Sequence, residues 1–242
     1  KPCNLLVFVQ MIQTKNLCFR YEEELILKNI SLKIKEGRFT AIIGANGSGK
    51  TTLAKHFNAL LMPTSGSVIV DGVDTKKDEL NARKKVGIVF QNFEDQIVYP
   101  VVEEDIAFGL ENLGLNVKDI IGIVDVTLAR LGIKHLAKQN VNMLSTGQKQ
   151  LVALAGVLAM KPDYIVFDEP TTNLDARNKK KIMGVIKQLN KKDNITIILI
   201  TNVLQDLKYV GNVVVLKNGS IIFNNRKSKL TDRVLKSAGL YD

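Results

Sequence analysis

From Met11 the chain opens on MIQTKNLCFRY, which reads as a first strand. Ile30 to Ile34 alternates apolar and polar positions like a half-buried strand, and Phe39 to Ile43 runs without a break like a fully buried one. A helix is expected from about Lys50 to Leu61, stopped at Pro63. Val68–Val70 and Val86–Phe90 predict further strands. Pro100 to about Lys138 reads as mostly helical, with Glu103, Glu104 and Asp105 in a first turn. From Ser145 the pattern becomes helix, then strand Tyr164–Phe167, helix Ala176–Leu189 and strand Ile195–Ile200. The chain closes on a hairpin, Val213–Leu216 and Ser220–Phe223 around Asn218-Gly219. Buried strands alternating with helices mean α/β architecture around a largely parallel sheet. The expected organisation is an extension at 1–10, a core from 11–91 and 161–226, a helical subdomain at 92–160 and a short tail at 227–242.

One junction carries recognisable chemistry. Gly44-Ala45-Asn46-Gly47-Ser48-Gly49-Lys50-Thr51 fits G-x-x-x-x-G-K-(S/T) between a buried strand and a helix. The glycines let the backbone curl so that successive N–H groups face inward on phosphate oxygens. The helix that starts near Lys50 adds its positive end. Lys50 can reach β- and γ-phosphates and the Thr51 hydroxyl can ligate Mg²⁺, so the nucleotide-binding set runs from Gly44 to Thr52.

A metal held there needs a carboxylate from a neighbouring strand tip, because ligands bind beyond the carboxyl ends of parallel strands. Tyr164-Ile165-Val166-Phe167-Asp168-Glu169 supplies two. Asp168 is assigned to Mg²⁺ through water. Glu169 is assigned as the general base that polarises the attacking water.

Composition narrows the setting. The formal charge of +10 fits three situations: a nucleic-acid binder, an anionic nucleotide beside a negative membrane face, or a Lys-rich solvated surface. The runs Lys179-Lys180-Lys181 and Lys191-Lys192 are too short to define a nucleic-acid stripe. Trp is absent, and nothing suggests a stacking surface for single strands. Cys3 and Cys18 offer neither a disulfide framework nor metal-ligand spacing, which fits a reducing compartment. Leu151–Met160 is half the length a bilayer needs, and Leu5–Val9 is too short for a signal core, so any membrane spans must come from other subunits.

Leu144-Ser145-Thr146-Gly147-Gln148-Lys149-Gln150, just before the Asp168–Glu169 strand, resembles the LSGGQ signature of the ATP-binding cassette family. The resemblance spans nearly all of 11–242 in the family's order. It implies a P-loop NTPase core, an N-terminal antiparallel β portion and a helical signature subdomain. It places Tyr21 on adenine, Gln91 as the sensor of Mg²⁺ and of the membrane partner, and Asn173-Leu174-Asp175 as the loop that crosses a dimer interface through Asp175. Ser145, Gly147 and Gln148 would meet the ATP bound by a second cassette, since amides opening a helix on a separate subdomain face away from their own phosphate loop. ATP then acts as glue between two cassettes, and hydrolysis releases them.

A closer likeness lies in Gln91-Asn92-Phe93-Glu94-Asp95-Gln96 and in Pro100 to Gly109. Both are similar to the QNPDDQ…PTVEEDVAFG stretch in the ATPases of energy-coupling-factor importers for cobalt, nickel and vitamins. Asn58 to Gly66 agrees with that group. The resemblance implies an importer's ATPase on the inner face of the cell membrane, working with a second ATPase subunit and integral membrane subunits. A groove near Gln91 and Glu103–Asp105 should receive a short cytoplasmic helix. Those ATPases often carry a further C-terminal helical extension, which is expected to be short or trimmed here.

Three positions depart from the pattern. Thr146 replaces a glycine, Leu151 stands where Arg is common, and Thr201-Asn202 occupies the place of a His that contacts γ-phosphate. Asn202 is the expected catalytic substitute and the reason to expect slow turnover. His135 is expected on the surface, and His56 is expected to be structural. Competing readings are a cassette that binds nucleotide but hydrolyses it poorly, and a soluble cassette. The soluble kinds carry a long insertion before the signature or two cassettes in one chain, and neither occurs here.

Overall fold

The computed structural model describes residues 10–172 and 174–240. The expected extension up to Val9, with Cys3 and the Leu5–Val9 run, and Asn173 of the cross-dimer loop lie outside the described residues.

Two sheets organise the molecule. β1 (Met11–Tyr21), β2 (Glu24–Lys35), β4 (Ser65–Val70) and β5 (Val73–Asp74) form an antiparallel sheet in the order β2-β1-β4-β5. β2 is longer than the alternation at Ile30–Ile34 suggests, because pairing with β1 runs from Met11↔Lys35 to Tyr21↔Glu24. The second sheet has six strands in the order β10-β9-β3-β8-β7-β6. Its members are β3 (Phe39–Ile43), β6 (Val86–Val89), β7 (Tyr164–Asp168), β8 (Thr196–Ile200), β9 (Asn212–Lys217) and β10 (Ser220–Arg226). β9, β3, β8, β7 and β6 are parallel, and β10 folds back as the antiparallel edge.

Every residue of β3, β7 and β8 is buried, because both faces are covered. Ile165 and Phe167 pack into the core shared with α3 (Val102–Asn112), α4 (Val117–Arg130), α5 (Thr146–Ala159) and α6 (Ala176–Asp193). Tyr164 and Val166 face the other core, with α1 (Lys50–Phe57) and the antiparallel sheet. Two further helices carry weaker patterns, α2 (Glu79–Lys85) and α7 (Asp232–Ser237). α7 lies in the expected tail, where its Leu235 and Ala238 are buried against the first core.

α1 ends at Phe57, four residues before the expected Leu61. Ala59 adopts a left-handed φ of 58°, and the amides of Leu60 and Leu61 turn back to the carbonyl of Lys55. Phe90 leaves β6 one residue early for a comparable reason. The Gln96 carboxamide accepts from Phe90 N at 2.8 Å and donates to Ile88 O at 2.9 Å, taking the place of a strand partner. Leu151, where Arg is common, is buried in the helical core. Among the described residues no helix is long and apolar enough to cross a membrane.

Candidate functional site

The candidate residues converge where the parallel strands end. The phosphate loop follows β3, Asp168 and Glu169 close β7, Thr201 and Asn202 follow β8, and Gln91 follows β6. β7 is not the neighbour of β3. β8 lies between them, and this order sets Asn202 between the phosphate loop and Glu169.

The loop owes its shape to its glycines. Gly49 caps α1 at φ 98°, a conformation that other residues adopt only with strain. A Cβ on Gly44 would lie 2.2 Å from the carbonyl oxygen of Leu216, so the loop rests directly on β9. Lys50 Nζ donates to the carbonyls of Gly44 at 2.9 Å and Ala45 at 3.1 Å. Burial pulls the Lys50 ammonium below its ordinary range, and the charges of Glu169 and Asp168 offset part of that.

Thr51 Oγ1 donates to Asp168 Oδ2 at 2.7 Å, while Asp168 Oδ1 is buried with no partner. Burial raises the Asp168 carboxyl above its ordinary value; the Thr51 hydrogen bond opposes the shift and Glu169 adds to it. A hydroxyl, a carboxylate and an unpaired buried oxygen form the donor set of a hard cation that takes its remaining ligands from phosphate and water. Among the described residues no group of three or more His, Cys, Asp or Glu could hold a metal alone. The residues present therefore suit Mg²⁺ arriving with a nucleotide.

Glu169 stands at φ 48°, in the left-handed region, which a non-glycine residue occupies at a cost of about 1–3 kcal/mol. Nothing in the sequence signals this. The turn lifts the side chain off the strand axis, where Asn202 Nδ2 meets Glu169 Oε1 at 3.3 Å and Asn46 Oδ1 at 2.7 Å. Asn46, Lys50, Thr51, Thr52 and Glu169 line an open concavity of about 390 Å³ together with Tyr21. Tyr21 is 45% exposed, its ring edge-on to Phe19. Thr51 also borders an adjoining concavity of about 570 Å³ with Lys55, Gln91, Asp95 and Asp168, which brings Gln91 to the metal side.

The signature residues lie apart from this floor. Ser145 caps α5 and is exposed, and its N–H donates to Gln148 Oε1 at 2.9 Å, so Gln148 serves its own helix. Gly147 packs against Asn178 of α6. Asp175 caps α6 and accepts from Asn178 N at 2.9 Å. Thr146 is exposed beside Ser145. Asp105, expected on the groove, is buried and accepts from the amides of Val98 and Tyr99. His56 is fully buried with Nδ1 2.7 Å from Thr52 O, and His135 is exposed. Sequence reasoning missed Gln96, Thr171 and Asp206, polar residues whose partners lie in other segments.

Comparison with known proteins agrees with this arrangement. The family described as ABC transporter matches residues 27–172. An energy-coupling factor transporter ATP-binding protein, EcfA1 of Clostridioides difficile, is 44% identical over 95% of this chain and 86% of its own length. A cobalt import ATP-binding protein, CbiO of Syntrophus aciditrophicus, is 44% identical over 89% of this chain and 78% of its own. Among solved structures, cbiO1 of Clostridium perfringens, part of the transporter complex cbiONQ, superposes with a TM-score of 0.83 at 35% identity, covering 96% of this chain and 95% of that one. The dimeric cassette MJ0796 bound to ADP and Pi reaches 0.78 at 31% identity, covering 89% and 98%. With the family matched over more than half of its length and relatives at 44% identity, this chain belongs to the ABC transporter family, as an ATP-binding and ATP-hydrolysing cassette.

Proposed function

We propose that this chain is the ATPase subunit of a membrane importer of the energy-coupling-factor type, seated on the inner face of the membrane. It takes up metal ions or vitamins together with a second cassette and integral membrane subunits. The observation that carries the reading is the 2.7 Å pairing of Thr51 with Asp168, one residue before a strained Glu169 that touches Asn202. The relatives named for energy-coupling-factor and cobalt import support the importer assignment.

In this reading Tyr21 stacks on adenine. The amides of the Gly44–Thr52 segment and Lys50 hold the β- and γ-phosphates. Thr51, Asp168 and Gln91 would hold Mg²⁺, which would supply positive charge to offset the phosphates. Glu169 accepts the proton of the attacking water as its oxygen bonds to the γ-phosphorus and the bond from that phosphorus to the β,γ-bridging oxygen breaks, leaving ADP and phosphate. Asn202 Nδ2 exchanges Asn46 Oδ1 for a γ-phosphate oxygen as charge builds there, keeping its contact with Glu169. Ser145 and Gly147, at the N-terminus of α5, meet the nucleotide of the opposite cassette, and Asp175 faces that interface.

The membrane subunit is expected in the groove between the core and the helical subdomain, near Gln91 and Glu103. Gln91 lines a concavity on the core side with Leu60, Phe90 and Asp95, and Glu103, Glu104 and Tyr99 line the neighbouring one on the helical side. A basic amphipathic helix fits that chemistry. Glu169→Gln should retain ATP binding and accumulate a nucleotide-bound dimer on a sizing column. Monomer alone, with the native partner and ATP present, refutes the two-cassette mechanism. For the membrane partner, a crosslinking cysteine at Val98, which is 62% exposed, should capture an integral membrane subunit in native membranes. Recovery of nucleic acid or ribosomes in place of a membrane protein removes the importer reading.

A further inference from the structure

We infer that Asp206 is a positioning residue for hydrolysis, the single buried carboxylate that fixes both hydrogen-bond donors to Glu169. The inference rests on the reading of Glu169 as the base, and it adds a residue that no sequence motif marks.

The geometry forms a closed ring. Glu169 Oε1 receives Asn202 Nδ2 at 3.3 Å, and Glu169 Oε2 receives Thr172 Oγ1 at 3.3 Å. Each donor has a threonine beside it in the chain, Thr201 before Asn202 and Thr171 before Thr172. Both threonine hydroxyls donate to one atom, Asp206 Oδ2, Thr171 at 2.8 Å and Thr201 at 3.2 Å. Thr201 Oγ1 also accepts from Val203 N at 2.9 Å, which fixes the backbone on the far side of Asn202. Thr171 and Thr201 are fully buried and Asp206 is 7% exposed, so water cannot replace these partners cheaply.

Without this tie the two loops belong to different strands. The 169–172 segment leaves β7, and 201–203 leaves β8. Their backbone connection is Glu169 N donating to Ile200 O at 2.9 Å, at the base of both loops. Above that point, besides the turn in which Thr172 N donates to Glu169 O at 3.1 Å, the Glu169 carboxylate is held by two 3.3 Å hydrogen bonds from side chains with rotatable bonds. Asp206 sits in the short 3₁₀ turn Leu204–Tyr209, whose Leu207 is anchored in the main core. The carboxylate thereby transfers the rigidity of the core to the orientation of Glu169. This also accounts for Asn202 in place of a ring. A short carboxamide can meet both Glu169 and Asn46 only if its backbone is held, and Thr201 holds it.

The test compares Asp206→Ala, Asp206→Asn and Thr171→Val in the assembled cassette dimer. Asp206→Ala should lower kcat about tenfold and leave KM within about twofold, because the phosphate loop is untouched. Asp206→Asn should restore most of the rate, since its amide oxygen still accepts both hydroxyls. Hydrogen exchange on the nucleotide-free protein should quicken in 169–175 and 201–206 under Asp206→Ala, with 44–51 unchanged. A kcat within twofold of wild type, or exchange that quickens equally through 44–51, overturns the inference. If Asp206→Ala does not fold, Thr171→Val carries the test, and an unaltered kcat there overturns it as well. Glu169→Gln runs in parallel. If that variant still hydrolyses ATP, the base assignment fails and exchange alone decides whether Asp206 holds the loops. An inactive Glu169→Gln beside a fully active Asp206→Ala sinks the positioning role and spares the base.

Discussion

The two ends of strand β7 treat buried polar groups in opposite ways. At its start, Asp71 is saturated: Oδ1 accepts from Tyr164 OH at 2.5 Å and from Met11 N at 3.0 Å, and Oδ2 pairs with Lys85 at 2.5 Å. Lys85 also reaches Asp163 at 3.4 Å. These partners come from β1, the β4–β5 turn, the end of α2 and the β7 entry, so one carboxylate ties four segments together. Burial, helped by the hydrogen bond to Asp71, pushes the Tyr164 hydroxyl well above its ordinary range, so it stays a donor at any physiological pH. Four residues on, Asp168 leaves one oxygen unpaired, and the buried Asn202 Oδ1 also lacks a partner. Unpaired buried oxygens cost about 1–3 kcal/mol each, so a fold retains them only where something else pairs with them. The saturated end holds the sheet together, and the unsaturated end is kept for phosphate and metal.

Substitutions at the two ends should therefore separate stability from binding. The largest effect is expected at the saturated end. Asp71→Ala leaves Lys85 and Tyr164 without their shared acceptor and should cost about 3 kcal/mol, lowering Tm by roughly 6–12 °C. ATP affinity of the folded fraction should not change. A variant that melts like wild type breaks the comparison at once.

Lys50→Ala is the mirror experiment. It removes a buried ammonium at the unsaturated end and should weaken ATP binding about 100-fold, ~2.7 kcal/mol, in calorimetry. Tm without nucleotide should stay within a few degrees, since burial already disfavours that charge. Unchanged affinity refutes the site.

Asn202→His sharpens the contrast within the unsaturated end. A ring at this place offers a stronger donor to the γ-phosphate, and single-turnover hydrolysis in the dimer should rise about tenfold, with ATP affinity little altered. Equal rates mean that Asn202 already does the work.

The smallest effect concerns His56, which packs edge-on against Phe19 beneath α1. Burial lowers its pKa from the ordinary 6.5, outweighing the hydrogen bond to the Thr52 carbonyl. Above that value the ring is neutral in both states and stability is unaffected. As pH falls below 6.5, the unfolded chain takes up the proton first and stability drops. The expected loss between pH 7 and pH 6 is below about 1 kcal/mol. Thermal melts of His56→Gln should show a flatter pH slope than wild type over that interval, and identical slopes overturn the assignment.

The sequence by itself determined whatever is written in contiguous residues. The phosphate loop, the Asp168–Glu169 strand tip and the opening of α5 at Ser145 each depend on spacing along one segment, and short-range backbone geometry makes such spacing legible. The uninterrupted apolar runs of β3, β7 and β8 likewise announce strands buried on both faces. Only the tertiary structure decided that β8 lies between β3 and β7, and hence that Asn202 bridges Asn46 and Glu169. It alone decided that Gln96 stands in for a strand, that Asp105 is spent on its own loop and that Thr171 and Thr201 share Asp206. The reason is physical: a side-chain hydrogen bond between separate segments leaves no periodicity behind. Which polar groups meet is set by the order in which the strands assemble.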